Sequence, residues 1–350
     1  MSAYCGKKLK IRVTGKSHGD KISATIKGLQ GYTFCEDEVI DMLSRRSPIG
    51  KAGATERVEK DEPHYVKGVK NGMIGGEVKV EFYNDDKRSS DYENLRATPR
   101  PSHADAGRYF KYGEVDFTGG GEYSGRVTVG LCAVGGICKS VLEKYYGVKI
   151  SAYPSAIGDK FIRSYKRPNE RGAQKAEIDE YLTAIKSGGD SVGGRIECVI
   201  ENCPKGLGGS LFDGLEGKIS SLCYAIPAVK GVEFGYGFSL CDRLGSEAND
   251  GMRYDGENIA FTSNNCGGIY GGISAGEITF AVAIKPTPSI SKTQNSVNLL
   301  TGENVTINID GRHDACVAVR AVPLVEAAAA IAILDEVLYE NDRRIKNRNR

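Results

Sequence analysis

Residues 124–144, SGRVTVGLCAVGGICKSVLEK, are apolar on nearly every face of the helix that they would form. A helix without a polar face is buried between other parts of a protein. Gly130, Gly135 and Gly136 carry no side chain, so neighbouring elements can approach this helix closely. The stretch therefore predicts a central helix sandwiched between other layers, with Ser124 as a candidate N-cap.

The rest of the chain supplies elements for both sides of this helix. A second helix of buried character is predicted at residues 323–338, and an amphipathic helix at residues 178–185. A Thr33-x-x-Glu36 capping box is predicted to open a further helix that ends at Arg46. Strands are predicted at residues 8–14, 22–26, 78–82, 196–200, 227–235 and 278–284. Each half of the chain thus has strands, a glycine-rich polar loop and a buried helix, without a fixed-period repeat.

The composition limits the classes of protein to which the chain can belong. Its 350 residues carry a net charge of +2 from 47 basic and 45 acidic side chains, so nothing global favours nucleic acid or a membrane surface. No apolar signal segment opens the sequence, and the longest apolar run contains Glu326. We therefore expect a cytoplasmic protein with no membrane span and no nucleic-acid partner. The ten cysteines form no C-x-x-C pair, so we expect reduced, buried thiols rather than zinc ligands or disulfides.

Residues 100–125, RPSHADAGRYFKYGEVDFTGGGEYSG, concentrate the polar chemistry of the chain. His103 lies between Arg100 and Asp105, and prolines on both sides of the arginine fix the backbone there. The triple glycine at residues 119–121 lets backbone approach a flat or anionic ligand, and a helix N-terminus behind it suits an anion. Any single loop of this kind is more often a plain connection, so its functional interpretation depends on the rest of the chain.

Three of the four histidines, His18, His103 and His313, lie in loops rich in Gly, Ser, Asp and Arg. Histidine is suited to proton transfer near neutral pH, and arginine to binding phosphate and carboxylate. The sequence contains no dinucleotide-binding GxGxxG after a strand, no Walker loop and no HExxH, and no GxSxG serine lies at a predicted strand-to-helix turn. A small polyanionic ligand is therefore expected. The arginines in or beside the loops are Arg46, Arg100, Arg126, Arg312 and Arg320.

These loop motifs give the chain a resemblance to the chorismate synthase family. They fall in family order along nearly the whole chain, which makes the resemblance highly specific. The motifs are GKSHG at 15–19, RPSHAD at 100–105, the triple glycine at 119–121, DSVGG at 190–194, PAVKG at 227–231, GGIS at 271–274, KPTPS at 285–289 and GRHD at 311–314.

The resemblance implies an α+β fold class, a chorismate synthase-like sandwich in which central helices lie between antiparallel β-sheets, with pseudo-duplicated halves. It implies one catalytic domain at residues 1–342, before a basic tail at 343–350 that we expect to fray, and assembly as a homotetramer. The implied activity is that of a carbon-oxygen lyase of the shikimate pathway. Phosphate is removed from 5-enolpyruvylshikimate 3-phosphate by anti-1,4-elimination to give chorismate, and reduced FMN (FMNH2) is required.

The resemblance also implies roles for individual residues. His18 would protonate the departing phosphate, His103 would protonate the flavin, and Asp314 would assist removal of the ring proton. Phosphate, carboxylate or NADP groups would be bound by Arg46, Lys51, Arg100 and Arg320. The flavin would be contacted by Glu122, Tyr123, Ser124, Pro227, Ala228, Gly271, Lys285, Pro286, Thr287, Pro288, Ser289 and Arg312.

Four positions depart from the family pattern. Lys16 stands where the family usually has an acid, Glu122 where it usually has arginine, and Ala315 where it has proline. Ala52 stands at the second basic position after Arg46, with Lys51 as its substitute. These departures leave open a divergent flavin-binding paralogue with lost or altered elimination activity. A non-catalytic anion-binding module is the alternative from another class. We expect a separate flavin reductase to reduce the flavin, with NADPH as the indirect reductant, and an NADPH contact at Arg46 is the alternative.

Overall fold

Two five-stranded antiparallel sheets form the main β-structure of the protein, in a computed structural model that describes residues 2–56, 60–84, 96–117, 119–161, 170–309 and 313–348. The first sheet has the order β1-β2-β3-β5-β4 and the second β7-β6-β8-β14-β9. The first comprises β1 Ser2–Cys5, β2 Lys10–Thr14, β3 Lys21–Lys27, β4 His64–Lys70 and β5 Met73–Tyr83. The second comprises β6 Lys149–Ile157, β7 Lys160–Phe161, β8 Gly194–Glu201, β9 Val229–Phe234 and β14 Ile278–Ile284.

The described structure also has three two-stranded hairpins, seven α-helices and four short 3-10 helices. The hairpins pair β10 Met252–Asp255 with β11 Asn258–Phe261, β12 Ile269–Tyr270 with β13 Ile273–Ser274, and β15 Gln294–Asn298 with β16 Glu303–Ile307. The helices are α1 Glu36–Arg46, α2 Ala104–Tyr112, α3 Thr128–Tyr146, α4 Glu170–Ser187, α5 Leu215–Tyr224, α6 Gly245–Ala248 and α7 Ala318–Arg348.

The helices α3 and α7 pack against each other in the centre of the molecule. Gly135 of α3 lies so close to α7 that a Cβ built on it would be 2.1 Å from the Cβ of Ala327. Further along both helices, Asn341 Nδ2 donates a hydrogen bond to the hydroxyl of Tyr146 at 3.2 Å. The two helices therefore run in the same direction, and the glycine is what allows their close approach.

Each central helix covers one of the large sheets. α3 packs on the first sheet, where a Cβ on Gly130 would lie 3.0 Å from Ala24 of β3, and α7 packs on β6 and β8 of the second. β14 has the sequence ITFAVAI, and its alternate residues 278, 280, 282 and 284 form one buried face, while Thr279 and Ala283 on the other face are half-buried and exposed. The predicted central helix and the α+β sandwich are thus confirmed, with one sheet and one central helix from each half of the chain.

Acidic residues within the central layer are stabilised by partners. The carboxylate of Glu326 on α7 accepts hydrogen bonds from Arg45 at 2.9 and 2.7 Å and from Lys139 at 2.7 Å. Asp335 accepts the backbone N–H groups of Leu9 and of the two residues before it, at 2.7 to 2.8 Å. A buried charge costs little once it is paired and hydrogen-bonded, so these acids fasten α7 to neighbouring elements.

The predicted capping box at Thr33 is wrong. Helix α1 begins after Cys35, which makes no side-chain capping hydrogen bond, and it ends at Arg46 as predicted. The hydroxyl of Tyr145, at the end of α3, lies 2.8 Å from the hydroxyl of Thr33 and accepts its backbone N–H at 3.0 Å. A tertiary contact has therefore replaced the local cap.

Helix α7 is longer than the predicted one at both ends. It begins at Ala318 and contains Pro323, which the sequence suggested as its start. Its last turns continue to Arg348, so the described part of the basic tail is helical. Proline removes one backbone donor from a helix, and here the burial of the surrounding residues outweighs that loss.

The cysteines are all free thiols, but not all are buried. Cys5, Cys35 and Cys241 are exposed and Cys266 is half-buried, so the expectation of burial is wrong for these. Burial raises the pKa of the Cys132 thiol to about 12 and that of Cys223 to about 12, which keeps them protonated.

Within the described residues one helical stretch, Gly125–Tyr146, has the length and hydropathy of a membrane span. In the folded protein 78% of its most apolar window is buried. The stretch includes α3, and its apolar character is explained by its place in the core.

Candidate active site

A cavity of about 730 Å³ lies where the segments that lead into α3 and α7 meet. Gly125 and Val127, just before α3, line one side, and Asp314 and Val317, just before α7, line another. This volume is typical of a site for a small molecule or cofactor. Both central helices therefore point their N-terminal ends toward the cavity, and those ends favour anions.

The His103 loop forms one wall of the cavity. Asp105, whose side chain is completely buried, lies 2.7 Å from His103 Nδ1 and accepts hydrogen bonds from Arg100 Nε at 2.7 Å and Nη2 at 2.9 Å. Arg100 and His103 both line the cavity. One buried carboxylate thus holds the arginine and the histidine in place.

The charges around this wall shift the pKa values of its members. Burial opposes ionisation of Asp105, but its hydrogen bonds from His103 and Arg100 outweigh burial and hold its pKa well below the usual range. Burial also lowers the pKa of His103, Asp105 raises it, and the positive charges of Arg100 and Lys285 lower it further. The resulting pKa of His103 is below its ordinary value, so a neutral imidazole faces the cavity at neutral pH.

His18 lies beside the triple-glycine loop. The backbone N–H of Ser17 donates to the carbonyl of Gly121 at 3.1 Å, and a Cβ on Gly119 would be 2.6 Å from His18 Nε2. Gly119 also has a φ of +87°, so glycine is required there on both counts. Among the described residues that line the cavity are Gly15 and Gly120, but not His18 itself. The loop that carries His18 therefore reaches the cavity through Gly15, whereas the His18 imidazole lies against Gly119 of the triple-glycine loop.

Asp314 lines the cavity and is paired with Arg320. Arg320 Nη1 donates to both of its oxygens, and Asp314 Oδ1 also accepts the backbone N–H of Thr55 at 3.0 Å. His313 lines the cavity as well. Arg312 lies outside the described residues.

Most of the residues predicted to contact a flavin share the same cavity. Lys285 is fixed there by donating from Nζ to the carbonyl of Ser102 at 2.5 Å, and its backbone N–H donates to Ala228. Burial, and to a lesser extent Lys230, lowers its pKa. The predicted flavin-binding residues that line the cavity are Glu122, Tyr123, Ser124, Pro227, Ala228, Lys285, Thr287, Pro288 and Ser289.

Two predicted flavin-binding residues are outside this group. Gly271 is exposed in the turn between β12 and β13, and Pro286 is exposed between two cavity-lining residues. Within the described part of the chain neither lines the cavity. Their contact with a flavin stays a prediction.

Thr287 provides an unpaired polar atom at the cavity. Its Oγ1 is buried, and among the described residues it has no hydrogen-bond partner. A buried hydroxyl without a partner is costly, and a ligand polar group would supply the partner. Together with the Lys285 ammonium and the Ser289 hydroxyl, this donor set fits a ligand that carries phosphate and carbonyl oxygens, as FMN does.

Arg46 and Lys51 lie behind the cavity wall. Arg46 is buried and donates to Asp61 at 2.5 Å and to the carbonyl of Gly125 at 3.0 Å, and Arg126 pairs with the other oxygen of Asp61. Lys51 donates to the carbonyls of Ser44 and Ser47 at the end of α1. Neither is among the described residues that line the cavity, so Arg46 supports the wall in this structure.

Two acids without a predicted role organise these arginines. Asp105 stands in the same sequence motif as Arg100 and His103, so it could have been assigned one. Asp61 gave no signal, since it bridges Arg46 and Arg126 from a separate segment of the chain. Lys111 and Tyr112 also line the cavity and had no predicted role.

The fold and the cavity define an α+β enzyme. Its site combines an imidazole that is held by a carboxylate with cationic groups in fixed positions, and such a site suits a small anionic molecule. The sequence comparisons identify the enzyme family. A sequence profile described as chorismate synthase matches residues 9–338, so the chain belongs to the chorismate synthase family.

Relatives of similar length support this assignment. The chain is 38% identical to the chorismate synthase of Methanocaldococcus jannaschii over 96% of both chains. It is 40% identical to that of Thermococcus kodakarensis over 95% of this chain and 97% of the relative. A crystal structure described as chorismate synthase superposes with a TM-score of 0.73 and 25% identity, covering 96% of this chain and 93% of the other.

Proposed function

We propose that this protein is a lyase that removes phosphate from 5-enolpyruvylshikimate 3-phosphate and yields chorismate, with reduced FMN bound in the cavity. The observation that carries the proposal is the match to the chorismate synthase family across residues 9–338. The reaction breaks one C–O bond, whose electron pair leaves with phosphate, and removes one ring proton, so it needs no net oxidant. The site must therefore bind a polyanion and move protons.

The cationic groups at the cavity suit such a polyanion. Arg100, Lys111 and Lys285 line it, and the N-terminal ends of α3 and α7 add positive potential. Fixed cations and backbone dipoles stabilise negative charge that develops on a leaving phosphate. Arg46 and Arg320 are proposed to act on the substrate indirectly here, because both bind protein oxygens.

Each acid-base residue has a proposed task. His103 would move a proton at Nε2, because Nδ1 is occupied by Asp105. Asp314, held by Arg320, would assist removal of the ring proton. His18 would protonate the departing phosphate from its position against Gly119, beside the cavity-lining Gly120. Proton-transfer groups of this kind contribute about 10²- to 10⁴-fold to a rate.

We infer that reduced FMN is held by the segments 122–124, 227–228 and 285–289. The unpaired Oγ1 of Thr287 and the fixed ammonium of Lys285 support this site. Reduced FMN, when bound, supplies electron density to the C–O bond that breaks. A separate flavin reductase would keep the flavin reduced, with NADPH as the indirect source of electrons. NADPH would then have no obligatory contact with Arg46.

We also infer a homotetramer in the cytoplasm. Large apolar side chains are exposed in the second half of the chain, where a monomer would leave them in water. Phe212 is fully exposed and Phe238 is 80% exposed, and Tyr254 in the β10–β11 hairpin is 76% exposed. Sedimentation equilibrium tests the assembly, and a monomer at micromolar concentration would contradict it.

The enzyme assay uses the purified chain, 5-enolpyruvylshikimate 3-phosphate and photoreduced FMN without oxygen. We expect equal amounts of phosphate and chorismate, no product with oxidised FMN, and losses of about 10²-fold or more for His103→Ala and His18→Ala. Binding of FMN and substrate without phosphate release would instead indicate the divergent paralogue. Ligand binding that survives both histidine substitutions, again without turnover, would indicate an anion-binding module.

The source of the reduced flavin is a separate measurement. Aerobic turnover with NADPH and FMN alone is compared with turnover after addition of a flavin reductase. We expect activity only when the reductase is present. Turnover with NADPH alone would show that the chain reduces its own flavin.

A further inference from the structure

We propose that Asp105 is the positioning residue that fixes His103 as the Nδ1–H tautomer and so reserves Nε2 for the ligand. The tautomer assignment rests only on the geometry of the His103 loop. Its kinetic consequence rests on the proposed function.

The hydrogen bonds of Asp105 leave one arrangement of protons. Asp105 Oδ2 accepts the backbone N–H of Arg100 at 3.1 Å and its Nε at 2.7 Å. Oδ1 accepts Arg100 Nη2 at 2.9 Å and lies 2.7 Å from His103 Nδ1. Three donors from the arginine keep the carboxylate ionised, and an ionised carboxylate only accepts hydrogen bonds. The proton between Asp105 and a neutral His103 therefore belongs to Nδ1.

The other ring nitrogen faces a different environment. His103 lines the cavity, and among the described residues its side chain makes one hydrogen bond, the one at Nδ1 with Asp105. The neutral Nε2 therefore presents a lone pair to a ligand, and it becomes a donor only after it takes up a proton. The charged groups that act on this ring are Asp105, Arg100 and Lys285.

The backbone around His103 is held in a strained conformation. Ser102 has a φ of +57°, which is unfavourable for a residue with a Cβ. Its carbonyl accepts Lys285 Nζ at 2.5 Å, and the N–H of His103 donates to the carbonyl of Arg100 at 3.2 Å. A strained residue persists only when its surroundings fix it. Asp105 supplies much of that constraint, because it binds both the backbone and the side chain of Arg100.

The chain has four histidines, so few histidine signals overlap and the tautomer of His103 can be measured directly. Ligand-free protein labelled with ¹⁵N only at histidine is examined by solid-state NMR at about pH 8, above the ordinary histidine pKa. His103→Gln identifies the His103 signals by their loss. We expect a protonated Nδ1 and an unprotonated Nε2 in the parent protein. A parent His103 with the proton on Nε2 would overturn the proposal, whatever the enzyme assay shows.

Asp105→Asn tests what the carboxylate does. With its oxygen at the Oδ2 position, the amide can still accept the backbone N–H and Nε of Arg100. Its NH₂ group at the Oδ1 position would lose the bond from Nη2 and face His103 Nδ1 as a donor. We expect His103 to change to the Nε2–H tautomer and kcat to fall by about 10²-fold or more, with a smaller change in KM. An unchanged tautomer and an unchanged kcat would each contradict the positioning role.

Asp335→Asn is the matched control, because Asp335 is, like Asp105, a buried carboxylate with several N–H donors. Its donors are three backbone N–H groups, and it lies far along α7 from the cavity. We expect it to lower the free energy of unfolding while the His103 tautomer and kcat stay those of the parent. If Asp335→Asn lowered kcat as much as Asp105→Asn, the effect would be general destabilisation and the proposal would fail. The wild-type tautomer remains decisive if Asp105→Asn does not fold.

Discussion

Arg320 hydrogen-bonds both carboxylate oxygens of Asp314 through one nitrogen, since its Nη1 donates to Oδ1 at 2.9 Å and to Oδ2 at 2.7 Å. Its Nε donates to the carbonyl of Arg46 at 3.0 Å, so the same side chain ties the cavity acid to the end of α1. Arg320, which the sequence predicts to bind the substrate, thus holds the side chain of Asp314 in place.

Replacing Arg320 should therefore impair the reaction through Asp314. We expect Arg320→Gln to lower the rate of phosphate release by about 10- to 100-fold, which corresponds to the loss of a hydrogen bond to a charged group. Arg195→Gln is the control, because Arg195 binds Glu197 and Glu233 on the second sheet. Equal rates for Arg320→Gln and the parent enzyme would show that Asp314 needs no such orientation.

The lowered pKa of His103 makes stability depend on pH. Unfolded His103 titrates near its ordinary pKa of about 6.5, and folded His103 below it. Between these two values the unfolded state binds more protons, so the free energy of unfolding falls as the pH falls through this window. Asp105 affects stability in a different pH range, because its depressed pKa contributes stability that is lost only below about pH 4.

His103→Gln should remove this dependence. Urea unfolding at pH 7.5 and at pH 5 should show a smaller loss of stability for the variant than for the parent, by up to about 1.4 kcal/mol per pH unit. His64→Gln serves as control, because His64 is exposed on β4. A pH dependence that is the same in His103→Gln and the parent would contradict the lowered pKa.

The unpaired Oγ1 of Thr287 predicts opposite effects on the free and the flavin-bound protein. Thr287→Val keeps the shape of the side chain and removes the buried hydroxyl. We expect the free energy of unfolding to stay the same or rise by about 1 kcal/mol, and the affinity for FMN to fall by about 5- to 10-fold. Calorimetric titration and urea unfolding measure the two effects. Unchanged FMN affinity would place the flavin away from Thr287.

The contact between Gly135 and Ala327 predicts a size limit in the core. Gly135→Ala places a methyl group where α7 already lies, so we expect the free energy of unfolding to fall by about 1 to 3 kcal/mol. Adding Ala327→Gly should restore little of it, since the backbone Cα of Ala327 would still lie 2.4 Å from the new methyl group. Urea unfolding measures the loss, and a Gly135→Ala variant as stable as the parent would mean that the two helices do not touch at this point.

The layers of the fold could be predicted because buried elements have a recognisable pattern of apolar residues in the sequence. Residues 124–144 lack a polar face, and residues 278–284 are apolar with strand-like composition, and both signals survive in α3 and β14. The Thr33 capping box failed because Tyr145, distant in sequence, competes for the same hydroxyl. Local patterns carry no information about such a competitor.

The site could be predicted in part, and for a similar reason. Cavity residues such as His103 and Lys285 lie in short motifs that mark them. The partners of the arginines do not, because Arg46, Asp61 and Arg126 meet only in three dimensions. An arginine motif alone cannot distinguish a guanidinium that binds substrate from one that binds a protein carboxylate.

The parallel alignment of α3 and α7 controls the distance across the cavity. Both helices begin at the cavity and continue into the core, so their relative register sets the separation of its opposite walls. A slip of one residue along α7 would shift one wall by about 1.5 Å, the length of a covalent bond. The close contact between Gly135 and Ala327 therefore sets the spacing of the proposed acid-base groups across the cavity.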